Sequence, residues 1–457
     1  MLLPHPDRDR SPIRVALTGA NGGYGRTFLA QVTRTPELIP AVLVDPDVDG
    51  VLAMLTELGL AARALVSEAP TRTAQIVADG GIALVRSADA IAWGVLDVLV
   101  EACGKVPQGT AYAAAAIDND THVVMVSKEV DTVAGVALHA RAVAGGLSYL
   151  PGDGDQPANL LRMLDWVSAV GLDIVAIGKA GEYDLQFDPV SGKLTQAGET
   201  IDAPSLRDLL TLGDDVHETL EQRAQAASEL KRAAAADSCE MTVVAMRTGA
   251  SADTEAMHYP VARIDELADI YASREHGGLV GTDGAVDVFS ALRLPGEASF
   301  AGGVFAVVRT GDPVTWEVLR AKGHVLSRDG RYACVYWPYH YMGVETPLTV
   351  HAAVDRAPAP SPRATTVLAA RAVRDLPKGD VLAVRGHHHE IDGAAPVMLG
   401  VSTEAAAYYL LDGARLVRDV PAGELIRESD VEGLDPLARD LHREGRALTP
   451  ATRDVTR

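Results

Sequence analysis

Residues 13–26 read IRVALTGANGGYGR: a short apolar run (Ile13–Thr18) enters a glycine turn, and a helical pattern follows from Arg26 to Thr33. Strand, glycine turn and helix in this order form a phosphate-binding unit. Residues without a Cβ let the backbone turn tightly and approach a pyrophosphate at the helix N-terminus. Gly19, Gly22 and Gly25 have G-x-x-G-x-x-G spacing, with Asn21, Gly23 and Tyr24 between them, and Asp45 closes the next apolar run (Ala41–Val44). A carboxylate at that strand end accepts hydrogen bonds from the adenosine ribose and repels a 2′-phosphate. The expected cofactor is therefore NAD, with NADP as the alternative that Arg26 would favour. The competing reading is a plain glycine turn beside a surface aspartate.

Further apolar runs at Ile82–Val85, Val95–Val100, Val123–Val126 and Leu147–Leu150 alternate with alanine-rich helical stretches. Strands alternating with helices predict an α/β, Rossmann-type, doubly wound parallel sheet over residues 1–150, completed by 335–356. Residues 151–334 read as an α+β catalytic, substrate-binding and oligomerisation domain. Its predicted parts are a helix (Gln156–Val170), a strand (Ile174–Ile177), a long helix (Asp214–Ala236), an apolar run (Glu240–Ala245) and an antiparallel sheet over 275–311. Prolines mark a linker at 357–362. Two Asp-x-Pro-x-Gly phrases, Asp375–Gly379 and Asp419–Gly423, mark a small β-rich module over 363–435, and a charged tail occupies 436–457.

The 457 residues carry 41 Lys+Arg against 62 Asp+Glu, a net charge of −21, which excludes a basic nucleic-acid binder. Three scattered cysteines form neither a disulfide framework nor a zinc motif. The opening MLLPHPDRDRSPIR lacks the apolar core of a signal peptide, and no run approaches a membrane span. These features predict a cytoplasmic protein with a small-molecule substrate, no nucleic-acid or membrane partner, and a dimeric or tetrameric homo-oligomeric state.

Only seven basic residues are lysines, so a lysine at a strand end stands out. Lys128 follows the fifth strand, where it would sit beside the nicotinamide and polarise a carbonyl or take an alcohol proton; a surface lysine is the alternative. Cys103 and Gly104 end the preceding strand, the cysteine reading as a packed thiol. Asp153 and Asp155, in the PGDGDQP turn, are candidates for substrate hydroxyls or a divalent ion, with helix capping by Asp155 equally open. Lys179 and Glu182, in GKAGEYD, are candidates for catalysis and substrate binding. Glu240 is a candidate to hold a lysine or a hydroxyl, with a carboxylate starting an exposed strand equally open. His276, in Arg274-Glu-His276, and the Arg320–His324 segment are lesser anion-site candidates. His387–His389 read as an exposed loop near the entrance, because three consecutive residues of a strand cannot converge on one ion. Tyr336, Trp337, Tyr339, His340 and Tyr341 read as packing.

In combination, the glycine turn, VLVEACG, HVVMVSKE, PGDGDQP, GKAGEYDLQFDP and the paired Asp-x-Pro-x-Gly phrases resemble homoserine dehydrogenase-like oxidoreductases carrying a SAF domain, the 1-deoxy-D-xylulose 5-phosphate reductoisomerase-like group. The resemblance covers most of residues 12–435. It implies a Rossmann domain, an α+β domain that mediates homo-oligomerisation, hydride transfer at the interdomain crevice, and a catalytic role for the lysine at position 128. A reductoisomerase would add an α-ketol or retro-aldol/aldol rearrangement, NADPH and a divalent metal. Asp45 argues against NADPH, and lysines expected around a phosphate are lacking. The preferred expectation is an NAD-linked dehydrogenase or oxidoisomerase of a hydroxylated sugar acid or polyol derivative, branched ones included; the metal requirement stays open. The reductoisomerase proper is the runner-up, and a non-catalytic cofactor-binding protein is the third reading.

Overall fold

The computed structural model describes residues 11–401 and 404–448, so the leader up to residue 10 and the end of the tail lie outside the described residues. Its contacts divide the chain into two compact units. The first combines residues up to 158 with 341–364 and the segment from 433 onward. Its elements are β1 (Ile13–Thr18), α1 (Gly23–Val32), β2 (Leu38–Val44), α2 (Val48–Glu57), β3 (Ala64–Val66), α3 (Pro70–Ala78), β4 (Ile82–Val85), β5 (Val98–Glu101), α4 (Val106–Asp118), β6 (His122–Met125), α5 (Lys128–Ala144) and β7 (Tyr149–Pro151). The seven strands lie in the order β3-β4-β2-β1-β5-β6-β7, all parallel. β4 and β5 are buried at every position, as strands covered by helices on both faces must be. The order reverses between β1 and β5, which opens a crevice at their carboxyl ends.

Two segments from the end of the chain complete this unit. The helix Thr346–Val354 inserts Val350 and Ala353 among the residues of β1 and α1. The helix Pro436–Leu448 places Leu441 in the opposite core layer, bonds the Val133 carbonyl through His442, and meets Arg141 through Glu444. The tail thus contains an amphipathic helix. The helix Thr346–Val354 groups with this unit, while residues 335–337 belong to a strand of the other unit.

The second unit comprises 159–340 with 365–432. It contains α6 (Gln156–Ala169, whose first turn lies before the unit boundary), β8 (Asp173–Ala180), β9 (Leu185–Asp188), β10 (Lys193–Gln196), β11 (Glu199–Asp202), α7 (Val216–Ala226), α8 (Ala235–Thr248), β12 (Ser251–Ala252), β13 (Val261–Ala262), β14 (Ala285–Arg293), β15 (Val304–Arg309) and β16 (Tyr332–Trp337). These strands form a mixed sheet, not the antiparallel one expected: β14 runs parallel to β8, while β15 runs antiparallel to both β8 and β16. The long helix expected over 214–236 is interrupted after Ala226, and a second helix begins at Ala235. The apolar run at 240–245 belongs to that second helix. Every residue from Asp237 to Arg247 is buried, so the apolar run reflects a helix covered on all sides.

Residues 365–432 form the four-stranded sheet β17 (Thr366–Ala372), β20 (Ala394–Gly400), β19 (Glu390–Ile391), β18 (Val384–Arg385), with a two-stranded ribbon, β21 (Arg415–Leu416) and β22 (Val431–Glu432). The proline linker sets 363–435 apart as its own module in the sequence; its contacts group it with the middle region. His388 accepts the Ala235 N–H at 3.0 Å through its carbonyl, and Tyr409 donates to the Ala235 carbonyl at 3.4 Å. The loop thereby caps α8, whose own N-cap residue, Ala234, has no capping side chain.

Candidate active site

In the first unit, β1 runs directly into the turn, and Gly19 takes a left-handed φ of 63°. A Cβ at Gly19 would lie 2.3 Å from the Ala102 carbonyl oxygen, and one at Gly25 would lie 2.5 Å from the Ala20 oxygen. These contacts explain the glycines: the turn is threaded between β1 and the end of β5, and α1 begins immediately above it. Gly22 is the N-cap of α1 and supplies no capping side chain, so the first-turn N–H groups remain available to an anion. Gly23 follows in that turn.

Asp45 is anchored at the end of β2. One carboxylate oxygen accepts the Asn21 N–H at 2.9 Å and the other the Asp47 N–H at 2.9 Å. The Asn21 side chain also donates to Asp47 at 2.8 Å. The carboxylate is thus held still while each oxygen keeps a further lone pair for a ribose hydroxyl. Tyr24 has a different role: its hydroxyl bonds Thr346 and donates to the Asp153 carbonyl at 3.2 Å, and burial holds its pKa above the usual range.

Three strand ends are stitched together beside the turn. Glu101, at the end of β5, accepts from the Thr18 hydroxyl and from the Cys103 N–H, both at 3.0 Å, and Gly104 donates to the Ser127 hydroxyl at 2.8 Å. Burial, reinforced by Glu101, pushes the Cys103 thiol upward, which supports the packed-thiol reading. Lys128 lies not on a strand but at the first position of α5, with its ammonium 3.7 Å from Asp155. The next residue, Glu129, is buried, and burial pushes its carboxyl from 4.5 up to about 7 despite the opposing pull of Lys128.

Asp153 and Asp155 divide their tasks. Asp153 is buried; its carboxylate accepts from Thr349 at 2.7 Å, and its N–H donates to the same hydroxyl at 2.7 Å. Asp153 thus fastens the turn to the helix Thr346–Val354. Asp155 accepts the Gln156 N–H at 3.0 Å at the start of α6 and faces Lys128, combining a helix-end contact with an ion pair.

The second unit contains a buried lysine centre. Lys179 lies within β8 rather than beyond its end; its ammonium is 2.7 Å from Asp237 and still closer to Glu240. Lys179 is 1% exposed, Asp237 2% and Glu240 3%. The two acids are three residues apart on α8, which puts them on one helix face. Burial pulls the lysine's pKa down, but Asp237 and then Glu240 outweigh it, leaving the ammonium held above its usual range. Glu240 thus does hold a lysine, from a helix and not from an exposed strand. Sequence reasoning misses Asp237 because a strand reading of 240–245 hides its i, i+3 relation to Glu240.

Nearby, Tyr259 donates to the Ala234 carbonyl at 3.3 Å and takes a left-handed φ of 46°. Glu182 meets His387 Nε2 at 2.6 Å, so the exposed histidine loop reaches a predicted substrate residue. His276 Nδ1 pairs with the Tyr332 hydroxyl at 2.6 Å, in the packing against β16. Sequence reasoning also passes over His258, which Asp287 holds at 2.5 Å; the ring's other nitrogen is 3.7 Å from Asp253.

Residues 154–346, less than half of the chain, match the family described as oxidoreductase DRL, catalytic domain. No curated protein sequence matches. Among solved structures, the fold is similar to GenD2 from gentamicin A biosynthesis in complex with NAD, at 13% identity over 78% of this chain and 91% of that one, with a TM-score of 0.37. It is also similar to DOX-P reductoisomerase in complex with magnesium, at 18% identity over 51% of this chain, TM-score 0.28. The chain spans 57% of that reductoisomerase. A third similar structure is a myo-inositol dehydrogenase from Corynebacterium glutamicum, at 16% identity over 38% of this chain and 46% of that one, TM-score 0.25.

Proposed function

We propose that this chain is an NAD(P)-dependent oxidoreductase that prefers NAD and acts on a hydroxylated sugar acid or polyol derivative. The observation that carries this reading is the glycine turn between β1 and α1, closed to any Cβ at Gly19 and Gly25 and faced by the anchored carboxylate of Asp45. The likeness of residues 154–346 to an oxidoreductase catalytic domain supports it independently.

A nicotinamide dinucleotide, when bound, supplies the hydride donor or acceptor. The turn's backbone N–H groups and the start of α1 would hold its pyrophosphate, and Asp45 its adenosine ribose. Lys128 would bring positive charge to an oxygen that gains negative charge as a carbonyl is reduced. Lys179, held charged by two acids, serves as an electrostatic clamp rather than a base. Lys128, less enclosed, is the better candidate for exchanging a proton.

A divalent metal fits these residues poorly. Asp153 is engaged by Thr349, Asp155 by Lys128, and Asp237 and Glu240 by Lys179. Among the described residues, no group of three or more His, Cys, Asp or Glu side chains is arranged to hold a metal. A metal-assisted rearrangement therefore stays the secondary reading. Among the described residues, no helix is long and apolar enough to cross a membrane.

Protein-fluorescence titration with NADH and NADPH tests the cofactor assignment. Nicotinamide absorbance over a panel of polyols and sugar acids, with and without chelator, tests turnover. NADH binding with no turnover of any panel member would favour the non-catalytic reading, and turnover abolished by chelator would favour the rearrangement.

A further inference from the structure

Three buried or half-buried arginines of the second unit are matched by acids. Arg223 faces Glu266 at 2.6 Å, Arg263 faces Glu297 at 2.8 Å and Arg293 faces Asp184 at 2.7 Å. Arg232 departs from this pattern. It lies between α7 and α8, partly exposed, and burial pulls its pKa below the usual range with no acid opposing that pull. Among the described residues, no carboxylate is within ion-pair distance of its guanidinium, and the one hydrogen bond it makes runs from Nη1 to the Tyr259 carbonyl at 2.8 Å.

The acids on the neighbouring loops are already engaged. A Cβ at Gly181, on the turn after β8, would lie 3.9 Å from the Arg232 carbonyl oxygen, and the His388 carbonyl accepts the Ala235 N–H. Residue 232 is thus flanked by that turn and by the loop 387–390. Glu182 on the turn is held by His387 Nε2 at 2.6 Å, Glu390 on the loop pairs with Lys231, and Asp237 faces Lys179. Arg232 keeps an unmatched positive charge while partly withdrawn from water, a costly arrangement that an anion would relieve.

The guanidinium is also held in one orientation. Met257 and Tyr259 take left-handed φ values of 58° and 46°, which side chains larger than glycine adopt only against strain. Asp287 accepts the His258 N–H between them at 2.9 Å, and the Tyr259 hydroxyl donates to the Ala234 carbonyl at 3.3 Å. The strained segment thereby presents the Tyr259 carbonyl to Nη1, and it leaves the Nε and Nη2 donors of Arg232 unbonded. Two parallel N–H donors match the two oxygens of a carboxylate.

We propose that Arg232 binds the carboxylate of an anionic ligand through its Nε–Nη2 edge, beside the turn after β8 and the loop 387–390. The inference rests on the oxidoreductase reading and narrows its substrate class from sugar acids and polyols to sugar acids. A neutral polyol leaves the guanidinium unmatched; a sugar acid supplies the missing charge.

Isothermal titration calorimetry of the full-length chain at fixed ionic strength tests this with gluconate, galactonate and xylonate. Glucitol serves as the neutral counterpart and inorganic phosphate as the alternative anion. At least one sugar acid should bind at least about tenfold more tightly than glucitol, and Arg232→Met should weaken that binding by at least about tenfold while leaving glucitol unchanged. Arg232→Lys keeps the charge but loses the planar fork, so it should recover only part of the affinity. Circular dichroism checks that both variants fold. The unaltered protein gives a second measurement: phenylglyoxal modifies accessible guanidinium groups, and peptide mass spectrometry should show Arg232 protected by the sugar acid and not by glucitol. Binding of no sugar acid, sugar-acid binding that survives Arg232→Met, or an Arg232 that the sugar acid does not protect overturns the proposal. Phosphate bound in place of every sugar acid overturns the carboxylate assignment. NADH titration of the same samples is read separately: a wild type that binds no NADH counts against the oxidoreductase reading and leaves the Arg232 measurements intact.

Discussion

Glu129→Gln should make the first unit more stable, and by an amount that grows with pH. Glu129 sits in the first turn of α5, buried, with its carboxyl pushed from 4.5 to about 7. The folded state therefore binds this proton more tightly than the unfolded chain. The contribution is fully present below pH ~4.5 and is lost as the pH rises through about 7. A displacement from 4.5 to about 7 corresponds to about 3 kcal/mol. Glutamine has nearly the same shape and never ionises, so it escapes this loss. The stability difference between variant and wild type should widen by about 3 kcal/mol between pH 4 and pH 8. Because the chain has two compact units, the assay should follow amide hydrogen exchange of α5 rather than one global transition. A difference constant within about 0.5 kcal/mol across that range would mean that Glu129 is ionised in the folded protein, and that Lys128 or water reaches it.

Three further substitutions test the cofactor site and its lysine. Gly25→Ala puts a methyl group 2.5 Å from the Ala20 oxygen, so the turn must open; NADH affinity should fall at least about tenfold, about 1.4 kcal/mol, by fluorescence titration, with circular dichroism preserved. Asp45→Ala removes the acceptor of the Asn21 and Asp47 N–H groups together with the charge, and should shrink the preference for NAD over NADP by about tenfold; a wild type that binds NADP more tightly would refute the role given to Asp45. Lys128→Ala should lower kcat far more than NADH affinity, because its interaction belongs to the reacting oxygen; equal losses in both would make it a binding residue.

Much of the first unit is legible in the chain because its signals are local. The glycines answer to steric contacts only a few residues or one strand away, and Asp45 follows from the strand that carries it. Fully buried parallel strands also appear as plain apolar runs, so the runs at 82–85 and 123–126 match β4 and β6 to within a residue. β3 escapes such a reading, being only three residues long and exposed at two of them. The roles of Asp153 and Tyr24 depend on Thr346 and Thr349, nearly 200 residues or more away, and no local pattern announces such partners.

The lysine centre shows where local reading fails. Glu240–Ala245 is as apolar as a strand, and only burial on every side makes a helix equally acceptable. Read as a strand, the segment separates Glu240 from Asp237; read as a helix, it places both on one face toward Lys179. The rarity of lysine draws attention to Lys179, yet its chemistry follows from the number of acids facing it, which is settled by tertiary packing. One carboxylate would make Lys179 half of a matched pair; with two, the ammonium is held charged and ties β8 to α8 deep in the second unit.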